Sequence, residues 1–135
     1  MILQVGVKVF LKNKEDKYLL LRRSPIKYPY VKDSWDIVGG RIEAGSSLAD
    51  NLKREVLEET GLDIVSEPRL LAAQDIIPNS ERHIVRLTYI ADTTGEPALD
   101  VAENVEYRWL FPVEMARQEN LDKYAKEALK YLIKS

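Results

Sequence analysis

The sequence predicts an α/β fold in which a mixed β-sheet lies between helices as an α/β/α sandwich. Three observations support this prediction. Short segments rich in large apolar residues alternate with polar turns along most of the chain. Two other segments, one central and one C-terminal, carry apolar residues at helical spacing. The length of 135 residues suits one domain, so we expect a single domain over residues 1–135.

The N-terminal third predicts a hairpin, a loop and a short strand. Residues 2–12 and 18–23 are apolar segments separated by a short polar turn, which is typical of a β-hairpin. Residues 24–34 mix two prolines and two tyrosines with polar groups and therefore predict an exposed loop. Residues 35–38 form a short strand that leads into a Gly39-Gly40 pair.

The central segment predicts a helix with a recognisable beginning and end. Ser46 or Ser47 can cap its N-terminus, and Gly61 is the residue type favoured just past a helix end. Its apolar residues recur at i, i+4 and i+8, which predicts one buried face. These residues are Leu48, Leu52 and Val56.

The second half of the chain predicts further strands and a closing helix. Pro68 interrupts the first of these strands, and Pro112 can open a helical turn after the last. The C-terminal segment has a single apolar face at helical spacing. The expected elements are strand 63–77, strand 83–92, loop 93–100, strand 105–111 and helix 121–133.

Three carboxylates in the last turn of the central helix indicate a metal site. Glu55, Glu58 and Glu59 lie at the helix C-terminus, where the helix dipole disfavours negative charge by up to about 1 kcal/mol per group. They also repel one another at i, i+3 and i+4 spacing. Glu55 and Glu59 continue the line of the apolar face, so they are not directed into solvent. Such a cluster suits a hard divalent cation that shares its oxygen ligands with substrate phosphates.

Composition restricts the metal and the partners. Cysteine is absent and His83 is the one histidine, which excludes disulfides, thiol nucleophiles and Cys- or His-rich zinc sites. Oxygen ligands favour magnesium, manganese or calcium. A formal net charge of -2 gives no basic surface for duplex nucleic acid. No secretory signal or run of ~18 apolar residues is present, so we expect a cytoplasmic protein with no membrane partner.

The segment from Gly40 to Leu62 resembles the signature box of the Nudix hydrolases. That pattern is Gly, five residues, Glu, seven residues, Arg-Glu, an aliphatic, any residue, Glu-Glu, any residue, Gly and an aliphatic. One position departs from it, because Ser46 stands where the first glutamate is expected. We expect activity to survive this change, since serine is a good N-cap and the position is nearly three turns from Glu55. The matching residues are Gly40, Arg54, Glu55, Val56, Glu58, Glu59, Gly61 and Leu62.

The resemblance implies hydrolysis of a diphosphate linkage in a nucleoside diphosphate joined to another group, with Mg²⁺ or Mn²⁺ as cofactor. It implies that Glu55, Glu58 and Glu59 are catalytic and bind the metal, with the Gly39 carbonyl as a further ligand. It also implies that Arg54 holds a box glutamate through a charge-assisted hydrogen bond. Family members often dimerise, so a homodimer is possible.

The resemblance leaves the extra carboxylate and the substrate open. Glu103, six residues before Trp109, resembles the nucleoside-triphosphate branch and is our choice as a catalytic and metal-binding residue. Glu81, after Pro78, resembles the ADP-ribose branch and is the competitor, as a substrate-binding residue. Either can instead be a surface carboxylate without a role.

Two further side chains are predicted to bind substrate. Arg23 ends a strand and suits phosphate, and Tyr28 lies in the loop that could cover a base. For His83 we favour a half-exposed strand residue over a catalyst. The alternative function is a catalytically silent nucleotide-binding or sensor domain, which Ser46 alone supports. An enzyme acting on RNA 5′ ends is disfavoured by the acidic pI of about 5.5.

Overall fold

The computed structural model describes residues 1–134, which form seven strands and three helices. No helix in this part of the chain has the length and apolar composition needed to cross a membrane. The elements in chain order are β1 (Ile2–Lys12), β2 (Tyr18–Arg23), β3 (Trp35–Asp36), β4 (Val38–Arg41), α1 (Leu48–Thr60), β5 (Arg69–Asn79), β6 (Arg82–Asp92), β7 (Asn104–Leu110), α2 (Pro112–Ala116) and α3 (Lys123–Lys134).

The strands form one mixed sheet in the order β3-β2-β1-β6-β5, with β4 paired to β1 and β7 paired to β2. Strand β1 runs parallel to β6 over its whole length and antiparallel to β4 from Gly6 to Val9. The expected β1–β2 hairpin is therefore limited to its closing end, where Lys12 lies opposite Tyr18. Because β4 occupies the edge of β1 beyond that point, Gly39 lies directly opposite Lys8.

Apolar clusters on the two faces of the sheet give the predicted α/β sandwich. One cluster lies under α1, where Leu52 and Val56 are fully buried against strand residues such as Val7. The other lies under α2 and α3, where Met115 and Leu129 pack on Phe10 and its neighbours. Leu48, expected in the buried stripe, is 38% exposed because it lies in the first turn, at the edge of the contact.

Three of the predicted elements have other bounds. The strand expected at 35–38 is instead two strands, β3 paired to β2 and β4 paired to β1, so Gly39 and Gly40 lie within β4. The strand expected at 63–77 begins at Arg69, because Pro68 supplies no backbone N–H to a ladder and the segment before it makes only the isolated bridge Ile64–Thr93. The helix expected at 121–133 begins at Lys123. Leu121 instead bridges to Trp35, and Asp122 caps the helix by accepting from the backbone N–H of residues 124 and 125.

Candidate active site

The site is a cavity of about 400 Å³ whose wall includes β1, the β3–β4 segment and the end of α1. This volume lies within the range of small-ligand pockets. Four cations and three carboxylates line it, so it is suited to a ligand that carries charge. The lining residues that carry chemistry are Lys8, Arg23, Tyr28, Asp36, Gly39, Gly40, Arg41, Glu59, Arg86, Glu103 and Asn104.

Helix α1 carries the box glutamates as the sequence predicts. Ser47 caps it by accepting from the backbone N–H of Asp50 at 3.0 Å, and Gly61 ends it in the left-handed conformation at φ 69°. Its last turn contains no basic residue, which would be the favoured residue type beside the negative end of the helix dipole. The three carboxylates differ in environment. Glu59 lines the cavity, whereas the Glu58 side chain is 59% exposed.

Arg54 holds two of the glutamates. Its Nη1 lies 2.9 Å from Glu55 Oε1 and 3.3 Å from Glu58 Oε2. Its Nη2 donates to Asn51 Oδ1 at 2.9 Å and to the Arg41 carbonyl at 3.3 Å. The guanidinium therefore connects the helix to the β4 end through charge-assisted contacts.

The loop before α1 is organised without a glutamate at position 46. Asn51, fully buried, accepts from the backbone N–H of Glu43 at 2.8 Å and donates to the carbonyls of Ser46 and Ser47 at 3.2 and 2.8 Å. Glu43 also places a carboxylate oxygen 3.8 Å from Arg54. Arg54 thus has other partners in place of the missing box glutamate.

Glu59 is a carboxyl group of the site whose pKa is strongly raised. Burial raises its pKa to about 7, and the negative charges of Glu55 and Asp36 add to this effect. The charge of Lys8 and a 3.3 Å hydrogen bond from the Gly39 backbone N–H act in the opposite direction. In the metal-free molecule near pH 7, Glu59 is therefore divided between its neutral and charged forms.

The glycine pair brings the backbone close to these carboxylates. Gly39 has φ 144°, and a Cβ there would overlap the Val7 carbonyl oxygen, so no side chain fits. A Cβ on Gly40 would lie 2.5 Å from Glu55 Oε2. The space that a side chain would fill at Gly40 is thus occupied by a carboxylate.

Opposite the glutamates, a buried network surrounds Asp36. Its carboxylate lies 3.0 Å from Arg86 Nη2, 3.1 Å from Lys8 Nζ and 3.3 Å from Arg23 Nη2. Arg86 also reaches Asp122 Oδ2 at 3.1 Å. Burial by itself would raise the pKa of Asp36, but the charges of Arg86, Lys8 and Arg23 hold it well below its ordinary value. Asp36 is therefore a permanent anion.

Glu103 binds two residues of the loop between β2 and β3. Tyr28 donates its hydroxyl to Glu103 Oε2 at 2.6 Å, and Lys27 forms an ion pair with the other carboxylate oxygen. The hydrogen bonds from Lys27 and Tyr28 lower the pKa of Glu103. The Arg23 guanidinium stacks 5.6 Å from the Tyr28 ring centre. The structure thus brings Arg23, Tyr28 and Glu103 together on one cavity.

Glu81 lies elsewhere. It is exposed in the β5–β6 turn, where its backbone carbonyl accepts from Ile2 N at 2.7 Å, and it does not line the cavity. His83 is also outside the cavity, as a strand residue whose ring contacts Asp75 at 2.7 Å. Of the two carboxylates left open by the sequence, Glu103 is the one that shares the cavity with Glu59.

Sequence reasoning did not single out Lys8, Asp36, Arg86 or Asn51. A signal was present, because each is a charged or amide side chain within an otherwise apolar strand or helix face. A polar residue at a core position must find partners there. Its partners could not be named without the strand pairing. Asn104, 7% exposed on the cavity wall, was also missed and makes no side-chain hydrogen bond within residues 1–134.

The donors fit Mg²⁺ or Mn²⁺ in chemistry. Glu55, Glu59 and the Gly39 carbonyl offer oxygen ligands only, and the glycines allow the backbone close approach. Within residues 1–134, however, no three acidic or histidine side chains are already arranged as a metal cluster. Arg54 engages Glu55 and Glu58, and Lys8 engages the Gly39 carbonyl.

The NUDIX domain family profile matches residues 2–132, and the chain belongs to the Nudix hydrolase family. Two solved structures show the same fold. The MutT NUDIX hydrolase from Burkholderia pseudomallei has a TM-score of 0.82 at 20% identity, covering 98% of this chain and 99% of that one. The MutT protein from Methanosarcina mazei Go1 has a TM-score of 0.80 at 24% identity, covering 98% and 94%.

Two Bacillus subtilis (strain 168) proteins are similar in sequence. One, named "Putative 8-oxo-dGTP diphosphatase", is 28% identical over 107 residues, which are 79% of this chain and 66% of that protein. The other, "Uncharacterized Nudix hydrolase YvcI", is 30% identical over 99 residues, 70% of this chain and 58% of that protein. The matched stretch is thus less than two thirds of the length of either relative.

Proposed function

We propose that residues 1–135 are a single Nudix hydrolase domain and that it is a divalent-metal-dependent pyrophosphohydrolase, which cleaves the diphosphate linkage of a nucleotide. The observation that carries this proposal is the position of Glu59 beside Gly39, with Arg23 on the wall of the same cavity. A half-buried carboxylate and a backbone carbonyl suit a metal, and a guanidinium suits phosphate. The substrate is a nucleoside triphosphate or an ADP-ribose-like nucleoside diphosphate derivative.

Glu55, Glu58, Glu59 and the Gly39 carbonyl would hold Mg²⁺ or Mn²⁺. When bound, the ion neutralises charge on the diphosphate oxygens and lowers the pKa of the attacking water. Arg54 positions Glu55 and Glu58 through its Nη1 contacts. Water attack at one phosphorus would give a nucleoside monophosphate and pyrophosphate, or two phosphate monoesters.

The remaining cavity residues would orient the substrate. Arg23 is the most exposed of the three cations around Asp36, at 35% of its side chain, and would donate to a phosphate oxygen. Tyr28 offers its ring to a base. Glu103 would complete the metal site or accept a proton from water, because it lies on the same cavity as Glu59.

The test is a hydrolysis screen with Mg²⁺ or Mn²⁺ over nucleoside triphosphates, 8-oxo-dGTP, ADP-ribose, nucleotide sugars and dinucleoside polyphosphates. We expect Glu59→Gln to lower kcat at least about 100-fold, because it removes a metal-binding charge. Glu67→Gln is the matched control, an exposed glutamate before β5, and should leave kcat unchanged. Equal turnover by the wild type and Glu59→Gln would reject the role of Glu59.

Glu103 and Glu81 can be separated with the same substrates. Glu103→Gln should lower kcat at least about tenfold, whereas Glu81→Gln should not change it, because only Glu103 lines the cavity. The reverse order would assign the extra carboxylate to Glu81. Tight nucleotide binding without turnover by the wild type would favour the silent-domain alternative.

A further inference from the structure

Lys8 is the cation that contacts the Gly39 carbonyl, one of the proposed metal ligands. It lies on β1 directly opposite Gly39, and its side chain is only 13% exposed. Its ammonium nitrogen is 3.3 Å from the Gly39 carbonyl oxygen, 3.3 Å from the Ile37 carbonyl oxygen and 3.1 Å from Asp36 Oδ2. An ammonium group has three N–H donors, so all three are used by these acceptors.

One of these acceptors is the carbonyl that we assign to the metal. Mg²⁺ binds oxygen at about 2.1 Å, so an ion on the Gly39 carbonyl would lie within about 5.4 Å of Lys8 Nζ. Two positive groups at that separation repel strongly, because it is shorter than the screening length of physiological salt and the side chain is shielded from solvent. The ammonium and a divalent ion therefore cannot use this oxygen independently.

The geometry leads us to propose that Lys8 occupies the Gly39 carbonyl in the metal-free site and competes with the divalent ion for it. This proposal rests on the metal site of the proposed function. When the metal binds, Lys8 gives up the carbonyl and keeps Asp36, whose other cations remain Arg86 and Arg23. The N–H group of Lys8 that is released in this way lies on the cavity wall, where it can donate a hydrogen bond to a substrate phosphate.

The consequence is a metal site that is weak until a phosphate ligand is present. Free metal must displace or repel an ammonium, and this lowers its affinity. A phosphate group supplies a new acceptor for Lys8 and new ligands for the metal, so the two are expected to enter together. Lys8 would thereby favour the metal–nucleotide complex over the free ion.

The test measures Mn²⁺ binding to the full chain without substrate, by isothermal titration calorimetry at fixed pH. Lys8→Met keeps most of the apolar stem and removes the charge, and we expect its dissociation constant to fall at least tenfold. Lys8→Arg keeps the charge and should remain within about threefold of the wild type. Lys12→Met, on the same strand but paired with Asp16 and Asp92 outside the cavity, is the matched control and should also be unchanged.

Unchanged or weaker Mn²⁺ binding by Lys8→Met would overturn the proposal, as would a failure of both proteins to bind Mn²⁺. If Lys8→Met does not fold, Lys8→Gln takes its place, because its amide can still donate to Asp36. Its dissociation constant for Mn²⁺ should also fall at least tenfold. The proposed function fails separately. A wild type that binds Mn²⁺ and hydrolyses no nucleotide rejects the activity, while active wild type with unchanged affinity in Lys8→Met rejects the Lys8 proposal alone.

Discussion

Among single residues, the α1 glutamates differ in solvent exposure, and burial raises the pKa of Glu59. Glu58 is held by Arg54 in contact with solvent, whereas Glu59 is half-buried and has a pKa of about 7. The metal-free protein therefore carries a carboxyl group that resists ionisation at the position proposed for a metal. Such a conflict between stability and function is typical of active sites.

This conflict predicts a pH-dependent stability. Because folding raises the pKa of Glu59 from 4.5 to about 7, its stabilising contribution is full below pH 4.5 and is lost as the pH rises through 7. The loss amounts to about 3 kcal/mol, at 1.36 kcal/mol per pKa unit. Glu59→Gln does not titrate, so in EDTA its free energy of unfolding relative to wild type should increase by about that amount between pH 4.5 and 8.

Thermal or urea unfolding at several pH values measures this difference. Glu67→Gln serves as the control and should follow the wild-type profile, since Glu67 is exposed. Parallel profiles for Glu59→Gln and wild type would show that Glu59 titrates normally.

At the scale of elements, α1 depends on the turn that precedes it. Ser47 supplies the cap, and the side chain of the neighbouring Ser46 makes no hydrogen bond within residues 1–134. The sequence offered both serines for this role, and the backbone conformation of the loop selects one. Asn51 fixes that conformation by bonding to both of their carbonyls.

The pair of serines gives a matched test of the cap. Ser47→Ala should lower the free energy of unfolding by about 1 kcal/mol, because it leaves a backbone N–H of the first turn without its acceptor. Ser46→Ala should change it by less than about 0.5 kcal/mol, as for an exposed surface position. Urea denaturation of both variants measures this, and equal losses would refute the assignment of Ser47.

At the scale of the whole molecule, Arg86 joins parts of the chain that are distant in sequence. It lies in β6 and contacts Asp36 in β3 and Asp122 at the start of α3. These ion pairs connect the wall of the cavity to α3, the helix that packs on the apolar cluster around Phe10. Arg86 is thus both a part of the site and a part of the global fold.

Removal of Arg86 should therefore be costly. Arg86→Met leaves Asp36 and Asp122 without their shared partner and should lower the free energy of unfolding by about 3 kcal/mol at pH 7. The double variant Arg86→Met/Asp36→Asn should recover part of this loss, because it also removes the buried negative charge. Guanidinium unfolding measures both proteins, and a neutral Arg86→Met would show that the network does not stabilise the fold.

The spacing of apolar residues and the capping residues in the sequence were sufficient to predict most of the helices and strands. Strands β1 and β2 match their predicted bounds, and α1 ends at Gly61 as expected, because apolar spacing and caps are local properties. The spacing from Gly40 to Leu62 likewise identified the family. The pairing of the strands could not be predicted in the same way. The sequence does not show that β1 pairs with β4, and not with β2, over most of that edge.

For the site, the sequence by itself placed Glu55, Glu58 and Glu59 on one helix end and made oxygen-bound metal the favoured chemistry, because spacing and composition are written in the chain. Only the tertiary structure decided that Glu59 is half-buried while Glu58 is exposed, that Glu103 and not Glu81 reaches the cavity, and that Lys8 lies against Gly39. The physical reason is that burial and charge pairing depend on which strands become neighbours, and those contacts join residues far apart in sequence.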